Sequence, residues 1–548
     1  MNKTTNISRL NWRNRARRRV FAALLIFGSL SLGMTPQPAH AEAGGSNILI
    51  RNAQSFYAYV KTGEHLEYNF TIATISSNAT YAPSITFQAK GPSYASTPCT
   101  LSRGTNAVGD SCALTAPAAT SDAVWEISTS GNSAVMTSWN IGVYNGSTLK
   151  PGRVWSNKYL VAQSNSLTDD LRGDDIALYY LRNDGYLYKS VYRDYNGIDS
   201  TFIADAVGIT AKSSCLSAYR SSAMFSSTDP AKNPQGEAIG YGSADAACGT
   251  RFKIFFDAPD KTMPAAAAMP DGMSDWLYQP VQPTTISNLS FAGAAGAADY
   301  SGAISFDMAN YIGTANIVIS VNGQDDRTIP VAINDAGRQT VVYDFDGKNR
   351  DGQIIPASAT VAFRVEANHK GEIHFVNVDV EKRAGGLEVQ RLTGTTASPT
   401  IVFWDDSYLI GQRCGARHVQ PSANLAGVDS TGGVHSWGVD GCARIDTGKF
   451  SSGNDRGSGS YDFSSAAAFA AVSSYGNMRN IDDWTYDVGS AVVSAALIMK
   501  APAAAVQSPT PGSPNAGFAA ADASYMAIGL LLLSAGILAI LTRRRARQ

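Results

Sequence analysis

The sequence predicts a mainly β protein: several β-sandwich domains in tandem, an N-terminal signal helix and one C-terminal transmembrane helix. Three observations predict it. Short runs alternating apolar and polar residues recur through the middle of the chain, bounded by Gly, Asn, Asp and Pro. Period-two alternation is the mark of a half-buried strand. Helical periodicity is scarce over the same range, and each end carries an apolar segment next to clustered arginines.

The strand runs are "NILIRNAQSFYAYV", "LEYNFTIATI", "SITFQAKG", "ANIVISVNG", "TVVYDFDG", "ATVAFRVEA" and "EIHFVNVDVE". Runs of this kind, separated by turn residues, pack as antiparallel sheets face to face. At the N-terminus, Lys3, Arg9, Arg13, Arg15, Arg17, Arg18 and Arg19 form a basic region without an acid. Val20 to Gly33 is apolar, and Ala39-His40-Ala41 is a small-x-small cleavage site. That is a secretory signal over residues 1–41, to be removed from fold reasoning.

At the other end, Tyr525 to Thr542 would make about 27 Å of helix, enough to cross a hydrocarbon core. Arg543, Arg544, Arg545 and Arg547 follow and favour a cytoplasmic end. Everything between signal and span is then expected outside the cell. The whole chain has 44 basic and 45 acidic residues. The signal holds seven of the bases, and residues 518–548 hold four arginines and one acid, Asp522. The exported body therefore has 33 bases against 44 acids, a net charge of −11. An acidic body repels phosphate backbones, which argues against a nucleic-acid partner.

Before the span, residues 501–517 carry Pro502, Pro509, Pro511 and Pro514, so they read as an extended stalk. It ends in Ser513-Pro514-Asn515-Ala516-Gly517. Spacer, short motif, apolar span and arginine tail, in that order, resemble the cell-wall sorting signal of bacterial surface proteins. The usual motif there is Leu-Pro-x-Thr-Gly; here Ser513 stands for Leu and Ala516 for Thr. The resemblance implies a sortase-type transpeptidase as partner, cutting between Ala516 and Gly517. The alternative is that residues 518–548 stay in the membrane as a permanent anchor.

Six cysteines fall in three separated pairs, Cys99 with Cys112, Cys215 with Cys248, and Cys414 with Cys442. In an exported chain an even count indicates disulfides, and the spacing predicts pairing in sequence order. Composition shifts divide the body into a β-rich domain at 42–150, a second at 151–258, a Pro/Ala linker at 259–283 and a third block at 284–500. That block is one domain with a long insertion, or two.

Three stretches are candidates for chemistry. In "DDIALYYLRNDGYLYKSVYRDYNG", Asn183-Asp184-Gly185 is a hairpin turn. Tyr186, Tyr188 and Tyr192 share one strand face, with Tyr180 across from them. The row either stacks on a ligand or packs as an ordinary aromatic ladder. "YDFDGKNRDGQ" offers Asp344, Asp346, Asn349 and Asp351 as oxygen ligands for calcium, though without EF-hand spacing. This stretch also resembles a hairpin of bacterial Ig-like surface repeats, in which such acids cap turns.

The third group is Asp405, Asp406, Asp429, His435, Asp482 and Asp483, set among Trp404, Trp437 and Trp484. A carboxylate pair here would suit glycoside hydrolysis; the other reading is a loop-rich tryptophan core. Other motifs fail. "HKGEIH" places His369 and His374 five apart. In an extended strand they face opposite sides and make poor co-ligands. No G-x-S-x-G, HExxH or Walker loop occurs, and "GDSC" at 109–112 ends in a paired cysteine. Two functions follow. One is a non-enzymatic structural or adhesive surface protein without a cofactor, facing a protein or glycan ligand. The other is a surface-anchored glycan or peptidoglycan hydrolase.

Overall fold

The computed structural model describes residues 42–43, 49–50, 54–75, 84–131, 135–161, 174–196, 200–210, 215–223, 251–295, 297, 299–378, 380, 382–394, 398–409, 412–414, 417–419, 422–437, 479–488 and 490–500. The signal at 1–41, the stalk and motif at 501–517, the span at 518–548, Cys248 and Cys442 lie outside them. One compact unit spans Met1–Ala501, and the second, Pro502–Gln548, falls wholly outside the described residues.

Every regular element among the described residues is a strand. All strand pairings are antiparallel. The largest sheet joins, in order, Ser398–Pro399, Lys382–Arg391, Leu187–Asn196, Asp174–Leu181, Lys253–Phe255, Val154–Ser156, Gln54–Val60, Ala123–Gly131, Ser84–Gly91 and Tyr94–Ala95. It therefore runs across the positions 150/151 and 258/259 where composition shifts. The reason is register between distant segments: Trp155 pairs with both Tyr57 and Phe255.

Alternation along Gln54–Val60 shows how the sheet is used. Phe56, Ala58 and Val60 enter the main core, while Tyr59 joins a smaller cluster on the other face with Trp155, Phe255, Met263 and Leu277. Opposite faces take alternate residues because the strand period is two. Met263 and Leu277 come from the Pro/Ala stretch, which also forms a hairpin between Ala266–Ala268 and Ser274–Trp276. This segment covers the sheet with its own apolar side chains.

The main core lies between this sheet and two others. One contains Val135–Asn145, His65–Ile75 and Ser111–Thr115; the other runs Tyr159–Leu160, Thr201–Asp205, Ile373–Val378, Arg479–Thr485, Ile401–Asp405, Ala423–Asp429. The Cys99–Cys112 disulfide, with Cα atoms 5.9 Å apart, ties the strand Cys99–Ser102 of the large sheet to Ser111–Thr115. Cys215 is disulfide-bonded too.

Residues from 285 build a two-sheet sandwich. Thr285–Gly293, Ser301–Ala309 and Arg338–Asp346 face Gln324–Ile333, Gly313–Val321, Val361–Ala367 and Val493–Ile498. Ile304, Phe306 and Phe345 meet Ile317, Ile319, Phe363 and Val365 in a core separate from the main one. The chain leaves after Ala367, supplies six strands among the described residues to the two other sheets, and returns at Val493–Ile498, which pairs with Val361–Ala367.

Candidate functional site

Of the charged residues singled out in 405–483, Asp482 and Asp483 lie on the strand Arg479–Thr485, inside a sheet between Ile373–Val378 and Ile401–Asp405, and Asp406 and His435 join Asp483. Asp482 and Asp483 are adjacent there, so their side chains leave opposite faces. Both are fully buried. A buried carboxylate is tolerated only when paired and hydrogen-bonded, and each has its own histidine.

On one face, the His435 ring is held at both nitrogens. Nδ1 lies 2.6 Å from Asp483 Oδ1 and Nε2 lies 2.5 Å from Asp406 Oδ2. Trp404, which stands opposite Asp483 across the sheet, stacks on the imidazole at 4.7 Å. Arg383 completes the group. It donates to Asp483 Oδ2 at 2.8 Å, to Asn377 Oδ1 at 3.0 Å and twice to the His435 carbonyl, with its guanidinium 4.4 Å from the Trp437 ring centroid.

Burial favours a neutral His435, but the Asp406 and Asp483 carboxylates outweigh it and raise the ring to about 9. Burial pushes Asp483 up, while Arg383 and His435 pull it below the usual carboxylate range. Two carboxylates, one imidazolium and one guanidinium then balance.

On the other face, His374 stands opposite Trp484 and its Nδ1 lies 2.8 Å from Asp482 Oδ1. Burial disfavours the charged ring, but Asp482 and Glu372 raise it to about 10. Burial pushes Asp482 upward against the pull of His374. Asp205 lies alongside, also raised by burial, and accepts from the Val207 and Gly208 backbones at 2.9 and 2.6 Å.

His369 and His374 do not face apart as an extended strand would place them. Residues 369–371 turn before the strand begins at Ile373, with Gly371 at φ +68°. Both rings therefore approach one oxygen, Glu372 Oε1, at 3.4 and 3.6 Å. Burial would raise Glu372, yet the two histidines hold it at about 2.

The remaining candidates serve turns or core. Asp405 and Asp429 each accept from the backbone two residues on, at Ser407 and Thr431, both at 2.9 Å. These are Asx turns. Asp346 accepts from the Lys348 backbone and Arg327, and Asn349 Oδ1 accepts from the Asp351 and Gln353 backbones. Asp344 is exposed on its strand. The tyrosine row is buried: Tyr180 stands opposite Tyr188, its hydroxyl lies 2.9 Å from that of Tyr192, and Tyr188 donates to the Gly371 carbonyl at 2.6 Å. It packs as the ladder reading expects, not as a surface for stacking ligands. Trp404, Trp437 and Trp484 all belong to the main core.

Arg383, Glu372 and Asp205 were not singled out in the sequence. Nothing local marks Arg383, because Asp483 lies 100 residues away; Glu372 stands between His369 and His374 and binds both, and Asp205 caps the turn at Val207 and Gly208. Chemically, the Asp406–Asp483 pair lacks the open gap that glycoside hydrolysis needs for sugar and water; the His435 ring fills it. No protein-family model matches the chain, and no curated protein matches it closely enough to count as a relative.

Proposed function

We propose that the protein is exported and tethered at the cell surface, where its β-rich body has a structural or adhesive role. One observation carries this reading. The acids best suited by sequence to catalysis, Asp406, Asp482 and Asp483, are fully buried and bound to His435, His374 and Arg383. They brace strands together instead of facing a substrate. The intersheet disulfide fits an oxidising compartment, and the two-sheet unit at 285–367 and 493–498 supports an Ig-like module. The signal, the acidic body, the proline stalk and the Ser513–Gly517 motif supply the surface tether, with a sortase as partner or the terminal span as anchor.

Two measurements test it. Labelled full-length protein incubated with glycan, matrix-protein and peptidoglycan surfaces is expected to be retained without releasing soluble fragments. Release of sugar or peptide fragments that disappears in Asp406→Asn would establish the hydrolase instead. Mass spectrometry of envelope-released protein is expected to find a C-terminus at Ala516 joined to a wall peptide. Protein extracted by detergent and still ending at Gln548 would mean a permanent membrane anchor.

A further inference from the structure

We propose that His369, Glu372 and His374 form a binding site for a divalent transition ion of the zinc class, clamping the crossover between the sandwich and the sheet that holds Ile373–Val378. This is independent of the adhesive reading. Zinc takes imidazole nitrogen and carboxylate oxygen at about 2.0–2.2 Å in tetrahedral sites, which sets neighbouring donors about 3.4 Å apart. His369 Nδ1 and His374 Nε2 lie 3.4 and 3.6 Å from Glu372 Oε1. Both spacings suit a ligand edge and are too long for a good hydrogen bond.

The donors make only loose contacts with one another. Glu372 is fully buried, and neither its oxygens nor His374 Nε2 meets a partner in good hydrogen-bond geometry; the two histidines, at 3.4 and 3.6 Å, and Tyr219 are the groups that approach Glu372. A buried polar atom left unpaired costs about 1–3 kcal/mol, so three in one place call for a missing partner such as an ion or water. The other His374 nitrogen is fixed by Asp482 at 2.8 Å. A carboxylate behind a histidine, presenting its far nitrogen outward, is the usual support for a metal-bound imidazole.

Among the described residues no three such side chains already close on one point. The ion closes the site by drawing in His369, whose side chain is 36% exposed where the other two are 0%. The location gives the clamp a role. Val361–Ala367 ends the outgoing sandwich strand and Ile373–Val378 begins the next sheet, so His369 and Glu372 sit on the five residues that join them and His374 is the second residue of the new strand.

Full-length protein, freed of metal with a chelator, is titrated with zinc chloride against a chromophoric chelator and melted with and without zinc. Wild type is expected to bind one zinc and to melt higher with it. His369→Ala, at the half-exposed position, is expected to melt like wild type without zinc, to bind zinc at least about tenfold more weakly, and to lose the rise in Tm. Glu372→Gln is expected to lose binding as well. No binding by wild type, or His369→Ala binding as tightly as wild type, would overturn the proposal.

Discussion

Asp482 and Asp483 are neighbours in the chain, yet each neutralises a different histidine on opposite faces of one strand: His374 at 2.8 Å and His435 at 2.6 Å. The strand period of two makes this possible. A single buried strand thus anchors two ionic groups that draw in Asp406, Glu372 and Arg383 from elsewhere in the chain.

The His435 bracket makes stability depend on alkaline pH. Asp406 and Asp483 are the charged groups on the ring nitrogens, and Arg383 binds the His435 carbonyl beside them. Its pKa is about 9 in the fold against about 6.5 in an unfolded chain. A raised value means the contribution is complete below about 6.5 and is lost as pH climbs through 9. The amount is about 3 kcal/mol. Urea unfolding at pH 6, 8 and 10 is expected to show that loss, and His435→Gln is expected to flatten this part of the profile.

Removing one member of the bracket strands the others. Arg383→Met leaves Asp483 with only His435 and frees the His435 carbonyl. Breaking a buried pair from one side costs about 3–5 kcal/mol. Asp406→Asn keeps the shape and an acceptor oxygen, so it is expected to cost less than Arg383→Met. Denaturant midpoints of the two variants check that order.

Gly208 is expected to tolerate no side chain. Its φ is +58°, and a Cβ there would collide with Asp482 Oδ2 and lie 2.5 Å from His374 Nδ1. Left-handed backbone alone costs a non-glycine residue about 1–2 kcal/mol, and the clash adds to it. Gly208→Ala should therefore lower Tm more than Gly63→Ala. Gly63 has similar φ, +84°, but open space around it, which separates backbone strain from displacement of the ion pair.

The Cys99–Cys112 bridge closes a loop with a sequence separation of 13. By the chain-entropy argument such a loop is worth about 3 kcal/mol. Cys99→Ser with Cys112→Ser is expected to lose about that much in urea unfolding. A loss near zero would mean the two sheets are held by packing alone.

Strand content was legible because alternation is local. "SITFQAKG" became Ser84–Gly91 with every second residue turned inward, and Asn183-Asp184-Gly185 turned where its residues require. The Cys99–Cys112 pair followed from spacing. The extended reading of "HKGEIH" does not hold at its start, because Gly371 turns the chain before the strand begins. The composition shifts near 150 and 258 were real, but one sheet crosses both.

By itself the sequence determined which residues are strands, which turns join neighbours, and which side of each strand is apolar. These depend on a few consecutive residues and on the period of two. The tertiary structure alone decided which strands lie side by side and which charges meet. Asp483 reaches Arg383, 100 residues back, and His435, 48 residues back, through the register of strands that are not consecutive. Register is a collective choice. It is set by how whole apolar faces pack, and a shift of one residue would turn every charge in the bracket to the wrong face.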